Sequence, residues 1–437
     1  MNLSKIWNRY NLLTKAILVF IFFLLLNIIF WRLSFTFYVW DDWDWLRPIV
    51  NGNFNLLAPH NEHFLPISKL LYLIQVKLFG AHPEIMQLVN IFLHSITALL
   101  SGYLVWLLFR NKKYAFLMAL IFSIHPFQSD NLLYVFQLQI ILNMMFFLTS
   151  LICIKLFFDS NLKIFYAASL VFTFLQSYCF GAGLALHIPI LIFFYIYKNK
   201  KYSLKYYLPY FFLFLLNIVV YKIYETSGFS FTDLLNTHNL KQISDYFFNA
   251  IFANWGRVIG IKVDNIFTFL LFVYTIVASA ITLMISHDIK FKTKYWQNII
   301  FSIIFFGSPF LIISLSRYKF GIAQGYSLRY GYFYIIPICI LFFTISDYIL
   351  QNFKPINNFK KHFNKIFLFL IILILAGSYI VDSREKRKIE NIGKYNFAEM
   401  QKFNDDRNYN PDLSQLHPFQ TKYELLDTMK KLELISP

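Results

Sequence analysis

Three short stretches of the chain hold the side chains able to do chemistry. The first reads YVWDDWDWLRP and sets Asp41, Asp42 and Asp44 among Trp40, Trp43 and Trp45, tryptophans suited to a membrane interface. A carboxylate there can take the proton of an attacking hydroxyl while a lipid-borne leaving group sits beside it. The bland reading of the same run is a solvated acidic loop. Further on, Glu62 stands between His60 and His63, groups suited to an acceptor or a sugar. Their spacing matches no established metal-ligand motif, so no metal ligand is assigned and a divalent cation is left open. The second stretch, IHPFQSDNLLY, ends one apolar run at His125 and Pro126 and opens the next at Asp130. Asp130 reads as a helix cap, as a second acid, or as both. The third, SLSRYKFGIAQGYSLRYGYF, carries Arg317, Lys319 and Arg329 around Gln324, Tyr326, Ser327 and Tyr330. Arginine near lipid is costly unless it snorkels or pairs. The sharper reading is a phosphate clamp, since the guanidinium fork matches phosphate oxygens bidentately. Arg257 and Lys262 are further cations for it.

The elements that must position these groups are membrane helices. Of the 437 residues, 58% are hydrophobic and 14% charged, against roughly 45–50% and about 25% in soluble domains. Apolar runs predict eleven spans, at about 15–37, 85–109, 114–125, 131–158, 164–178, 183–197, 208–224, 264–286, 297–315, 329–350 and 365–381. The first is too long for a signal-peptide core and no small-residue cleavage site follows it, so it reads as retained. Cys153, Cys179 and Cys339 lie inside apolar runs and read as small hydrophobes. Basic clusters at 110–113, 198–205, 290–294 and 354–365 fall in alternate loops and place the N-terminus in the cytoplasm. The net charge of +17 therefore reflects topology, and nucleic acid is not expected as a partner. Only Asp159, Asp288 and Asp347 then face the cytoplasm, and the other 20 of the 23 carboxylates face outward. Two features strain this topology: the apolar segment 244–261, read as re-entrant or interfacial, and the basic group Arg384, Lys386, Arg387 and Lys388 on the outside. The chain divides into a membrane domain, 1–382, with a first outer loop at about 38–84, and a short polar tail, 383–437, expected to pack on it. Within the loop, residues 65–79 are amphipathic and suit a helix lying on the membrane surface.

With DDWDW after the first span, HNEHFLPISKLLYLIQVKLFGAHPEIMQLVNIFLH leading into the second and HPFQSDNLLY between the third and fourth, the chain resembles the GT-C superfamily of polytopic glycosyltransferases. The order of these pieces is similar to the bacterial envelope and protein O-mannosyltransferase-like branch, and RYKFGIAQGYSLRY is similar to a late loop of envelope members. The resemblance covers most of 38–145 and thinly 317–330. It implies an inverting enzyme that uses a polyprenyl-phosphate sugar on the outer face of a bacterial inner membrane. The base would map to Asp41 or Asp42, with Asp42 slightly preferred, Asp130 to a second acid, and Arg329 to the residue holding the lipid phosphate. Gln128 stands where relatives often have His, which weakens a metal there, and no repeat domain for docking a protein acceptor follows.

A transporter would need inverted repeats and paired intramembrane charges; no repeat is evident, and His94 and His187 read as satisfied core residues. A polysaccharide polymerase would need a large late outer loop. The sequence thus points to an all-helical membrane glycosyltransferase acting on an envelope glycan of the O-antigen or lipopolysaccharide type, with protein O-glycosylation and lipid-linked-sugar flipping as alternatives.

Overall fold

The computed structural model describes residues 11–38, 41–61, 63–198, 204–224, 236–258, 289–321, 327–352, 357–406, 408–409 and 422–432. Among them every regular element is a helix. In chain order these are α1 (Leu12–Trp31), α2 (Asp41–Val50), α3 (Pro66–Phe79), α4 (Pro83–Phe109), α5 (Lys112–Ile124), α6 (Ser129–Leu133), α7 (Leu138–Ser160), α8 (Lys163–Ser177), α9 (Gly183–Tyr197), α10 (Leu208–Ile223), α11 (Thr237–Val258), α12 (Ile289–Arg317), α13 (Ile335–Asn352), α14 (Asn357–Asp405) and α15 (Lys422–Lys431). Four described segments are helical, long and apolar enough to cross a membrane: Leu12–Trp31, Pro83–Phe109, Val135–Ser160 and Tyr295–Arg317. Shorter apolar helices fill Gly183–Tyr197, Leu208–Ile223 and Ile335–Tyr348. The expected span 264–286 lies outside the described residues.

Several expected spans are interrupted where chemistry-bearing residues begin. The run expected over 131–158 begins in α6 and passes through a 3-10 turn at Val135–Gln137 before α7, and that over 329–350 opens with a 3-10 segment at Leu328–Phe333 before α13. The first run ends early, at Trp31, with Arg32 extended. Irregular backbone inside a packed bundle needs partners for its carbonyls. Amides on α4 supply them: Gln87 donates to Trp31 O at 3.3 Å and Leu132 O at 3.2 Å. Asn90 donates to Tyr134 O at 3.3 Å and Val135 O at 3.0 Å.

Where lipid surrounds a bundle, helices associate through close packing and polar contacts rather than water exclusion. Gly102 of α4 lies against α5 so closely that a Cβ there would meet the Ala115 carbonyl at 2.6 Å. Asn27 of α1 donates to Ser95 of α4 at 3.0 Å, and Trp31 Nε1 to Ser123 O of α5 at 2.7 Å. His94 bridges Tyr332 Oη (2.8 Å) and Ser123 O (3.1 Å), while His187 meets Ser177 Oγ (2.7 Å) and Asn217 Nδ2 (2.9 Å).

The two ends of the bundle differ. At one end Arg110, closing α4, pairs with Asp159 at the end of α7 at 2.6 Å; Tyr295, early in α12, donates to Asp347 of α13 at 2.9 Å. At the other end lie the start of α7, the end of α12 and the 3-10 segment before α13, with the chemistry-bearing residues.

Candidate functional site

The carboxylates of the first stretch stand in the first turn of α2, where the helix dipole favours negative charge. Their neighbours correct the interfacial role expected for the tryptophans: Trp43 and Trp45 are buried, because α2 is covered by other helices. Trp45 packs on Tyr72 of α3 (ring centroids 5.1 Å apart) and Phe136 (4.6 Å). Asp42 is fully buried and accepts a hydrogen bond from Tyr72 at 3.3 Å. Burial first, and the Asp42 charge second, push the Tyr72 hydroxyl well above its ordinary pKa, so Tyr72 stays a donor.

Asp41 instead lines a narrow cleft of about 20 Å³, together with His60, Asn61, His63, Phe136, Gln137, Gln139, Phe180, Arg317, Arg329 and Tyr330. The sequence brings these distant positions together by a short backbone device. His60 and His63 exchange two backbone hydrogen bonds, at 2.8 and 2.9 Å, with Asn61 left-handed at φ 50°. Directly paired residues of an antiparallel bridge put their side chains on one face. His63 Nε2 accepts from the Arg317 guanidinium at 3.2 Å. The same ring lies on Gly181, where a Cβ would fall 2.2 Å from Nδ1, and against Phe180 at 4.9 Å.

The second and third stretches meet. Asp130 does not cap its own helix, whose N-cap is Gln128 without a side-chain bond. It turns to the segment before α13. Asp130 Oδ2 faces Ser327 Oγ at 3.5 Å and accepts the Arg329 backbone N–H; Arg329 Nε donates to Ser327 Oγ at 3.0 Å. Asn131 donates to Arg329 O at 3.1 Å. Burial pushes the Asp130 carboxyl above its ordinary range, more than the Arg329 charge pulls it down. Gly331 permits this approach, since a Cβ there would meet Phe127 at 2.3 Å.

His125 is buried and accepts from Phe127 N at 3.3 Å as the cap of the 3-10 turn Pro126–Gln128. Tyr330 is buried at the cleft wall, and Lys319 is exposed, its ammonium 5.6 Å from the Tyr318 ring centroid. Arg257 belongs to the backbone of α11; its side chain, and Glu62, Gln324 and Lys262, lie outside the described residues.

No family model matches the chain, and no curated protein matches it. Among solved structures it is similar to the Archaeoglobus fulgidus oligosaccharyltransferase tethered with an acceptor peptide, at TM-score 0.47 and 12% identity over 95% of this chain and 63% of that one. It is similar to the same protein in complex with zinc and sulfate, at TM-score 0.46 and 12% identity over 94% and 61%. A third similar structure is that archaeal enzyme, AglB, with an inhibitory peptide and a dolichol-phosphate, at TM-score 0.46 and 14% identity over 95% and 63%. The chain thus spans less than two thirds of the length of each.

Asp41, Asp44 and His60 offer one ligand atom each within 4.8 Å of one another. Two carboxylate oxygens and an imidazole nitrogen suit a divalent ion such as Mn²⁺ or Zn²⁺. This set differs from the His60, Glu62 and His63 trio visible in the sequence. Sequence reasoning also missed Gln137, Gln139 and Phe180 as cleft residues; two amides flanking the start of an apolar helix were the available signal.

Proposed function

We propose that the chain is a membrane glycosyltransferase of the GT-C type, moving a sugar from a polyprenyl-phosphate donor to a hydroxyl of an extracytoplasmic envelope glycan. The observation that carries this reading is a single cleft walled by one carboxylate, Asp41, and two guanidinium groups, Arg317 and Arg329. A lipid-phosphate donor needs cations at its phosphate and a base at its acceptor, and the cleft offers both side by side.

In the proposed step the acceptor oxygen attacks the anomeric carbon as Asp41 takes its proton. The bond from that carbon to the phosphate oxygen breaks, and the electron pair leaves on the phosphate, facing Arg329 and Arg317. Attack opposite the leaving group inverts the anomeric centre. His63 orients Arg317; Asp130 and Ser327 orient Arg329. A divalent ion at Asp41, Asp44 and His60 would supply additional positive charge toward the phosphate. Asp42 buttresses α2 through Tyr72, so the base is assigned to Asp41.

The lipid chain needs an apolar path. An open hollow between α8 and α10, lined by Leu170, Val171, Phe174, Phe212, Leu216 and Val219 among others, carries no titratable group and suits hydrocarbon. All eleven spans of the sequence reading, with the N-terminus in the cytoplasm of a bacterial inner membrane and the cleft outside, belong to this proposal.

The test is a transfer assay with purified protein, a panel of polyprenyl-phosphate sugars, and envelope glycan or peptide as acceptor. Wild type should consume one donor and Asp41→Asn should not. Donors left intact by folded wild type would sink the reading, and transfer to peptide alone would move the acceptor to protein.

A further inference from the structure

The C-terminal helices reach both acidic elements of the site. Along α14, Glu390 accepts from the backbone N–H of Ser34 at 2.5 Å, on the segment leading to α2. The charges of Glu385 and Lys388, earlier on the same helix, act on Asp130 in opposite directions. Farther on, Met400 and Phe403 share one buried cluster with Leu425, Leu426 and Met429 of α15 and with Trp43, Trp45 and Leu46 of α2. Polar ties close the contact: Arg47 Nη2 pairs with Glu424 Oε1 at 2.5 Å, and Lys431 Nζ donates to Asn51 Oδ1 at 2.9 Å.

A helix of 10 residues such as α2 is too short to hold itself in water. Its first turn carries Asp41, so the carboxylate is placed only as well as α2 is packed. On its site side α2 leans on Tyr72 and Phe136; elsewhere Trp43 packs on Phe37 and Tyr38, α15 lies against the helix, and Met400 and Phe403 at the end of α14 join the same buried cluster.

We infer that the end of α14 with α15 is a strap that positions the Asp41 helix for transfer. The inference rests on the transferase reading and adds a requirement to it. Arg317 closes α12 and Arg329 belongs to the 3-10 segment Leu328–Phe333, elements other than the end of α14 and α15, so loosening the strap should leave donor binding intact and misplace the base. A misplacement of about 1 Å in a reacting group costs on the order of 100-fold in rate. Glu424 and Leu426 are thus positioning residues.

The experiment uses the full chain in detergent or nanodiscs, with Leu426→Ala, Glu424→Arg, and Glu424→Arg combined with Arg47→Glu. Amide exchange over 41–50 and over 138–160 is read beside kcat and donor KM. Leu426→Ala should speed exchange in 41–50 only and lower kcat ~10–100-fold at a donor KM within about twofold of wild type. Glu424→Arg should do the same more weakly, and the charge-swapped pair should recover most of the loss. The strap assignment is overturned by faster exchange in 41–50 with unchanged kcat, by unchanged exchange, or by a charge swap that rescues nothing. General unfolding appears as faster exchange in 138–160 as well, and for that variant the charge-swap arm decides. Wild type without turnover sinks the transferase reading, and the strap with it; turnover insensitive to the strap sinks the strap alone.

Discussion

In the proposed reaction, burial is what separates the roles of two adjacent carboxylates. Asp41 and Asp42 are indistinguishable as letters, and the sequence leaned toward Asp42; the first turn of α2 sends Asp42 to Tyr72 and Asp41 to the cleft. Asp41→Asn is therefore expected to abolish transfer without loss of fold, as read by turnover and thermal melting. Arg329→Ala should lower kcat on the order of 10²–10³-fold, the effect of removing one charge-stabilising donor, with Arg329→Lys recovering part of it in the same assay. If a divalent ion binds at Asp41, Asp44 and His60, chelation lowers turnover and Mn²⁺ restores it, with Asp44→Asn needing more Mn²⁺ than wild type; turnover indifferent to chelator sinks that ion. Asp130 gives a prediction with a sign. Its folded pKa is raised, so its contribution to stability is full below the ordinary carboxylate pKa of about 3.9 and is lost as the pH rises through the folded value. Asp130→Asn should accordingly raise Tm at pH 7, by a margin that shrinks on acidification and disappears near pH 3. A margin independent of pH would show that burial of the charge is not the cause.

The long apolar helices could be read from apolar runs, because length and hydropathy decide a membrane helix, whereas α2, with its three carboxylates, lies in what reads as a loop. What could not be read is where helices stop. Residues 131–137 and 329–333 look like the starts of spans, yet the first breaks at Tyr134 between α6 and a 3-10 turn and the second is 3-10, because Gln87, Asn90 and Asn131 satisfy the backbone that a straight helix would satisfy itself. Such tertiary amide contacts leave no local signature beyond polar letters in an apolar helix. Across the expected membrane–tail division at 382, α14 runs without a break from Asn357 to Asp405. Glycines fix how closely the irregular pieces approach. Gly181→Ala drives a methyl into His63, and Gly331→Ala one into Phe127. Overpacking of this kind costs typically 1–3 kcal/mol, and each should also reduce turnover, the first through Arg317 and the second through the Asp130–Arg329 contact. Tm and kcat measured together check this; a lowered Tm with full kcat would mean that the cleft tolerates the shift.

At the scale of the whole molecule, charge and helix direction agree. Positive-inside counting put Arg110, Asp159 and Asp347 on one face and Asp41, Asp130, Arg317 and Arg329 on the other. In the structure Arg110 meets Asp159 at one end, while Asp41, Arg317 and Arg329 share a cleft at the other, with Asp130 touching the Arg329 backbone. Two independent kinds of information therefore divide the charged groups in the same way, one from loop composition and one from packing. The remaining step is which end faces out, and the chain allows a clean measurement because Cys153, Cys179 and Cys339 are all buried. Asn53 and Lys163 are exposed, the first just beyond α2 and the second at the far end of the bundle. In intact cells a membrane-impermeant maleimide should label Asn53→Cys within minutes and reach Lys163→Cys only after permeabilisation. The reverse pattern would put the cleft in the cytoplasm, where a nucleotide sugar rather than a lipid-linked one is the natural donor. Labelling of both positions in intact cells would mean that the two ends do not lie on opposite sides of a bilayer, and the membrane-spanning arrangement itself would fail.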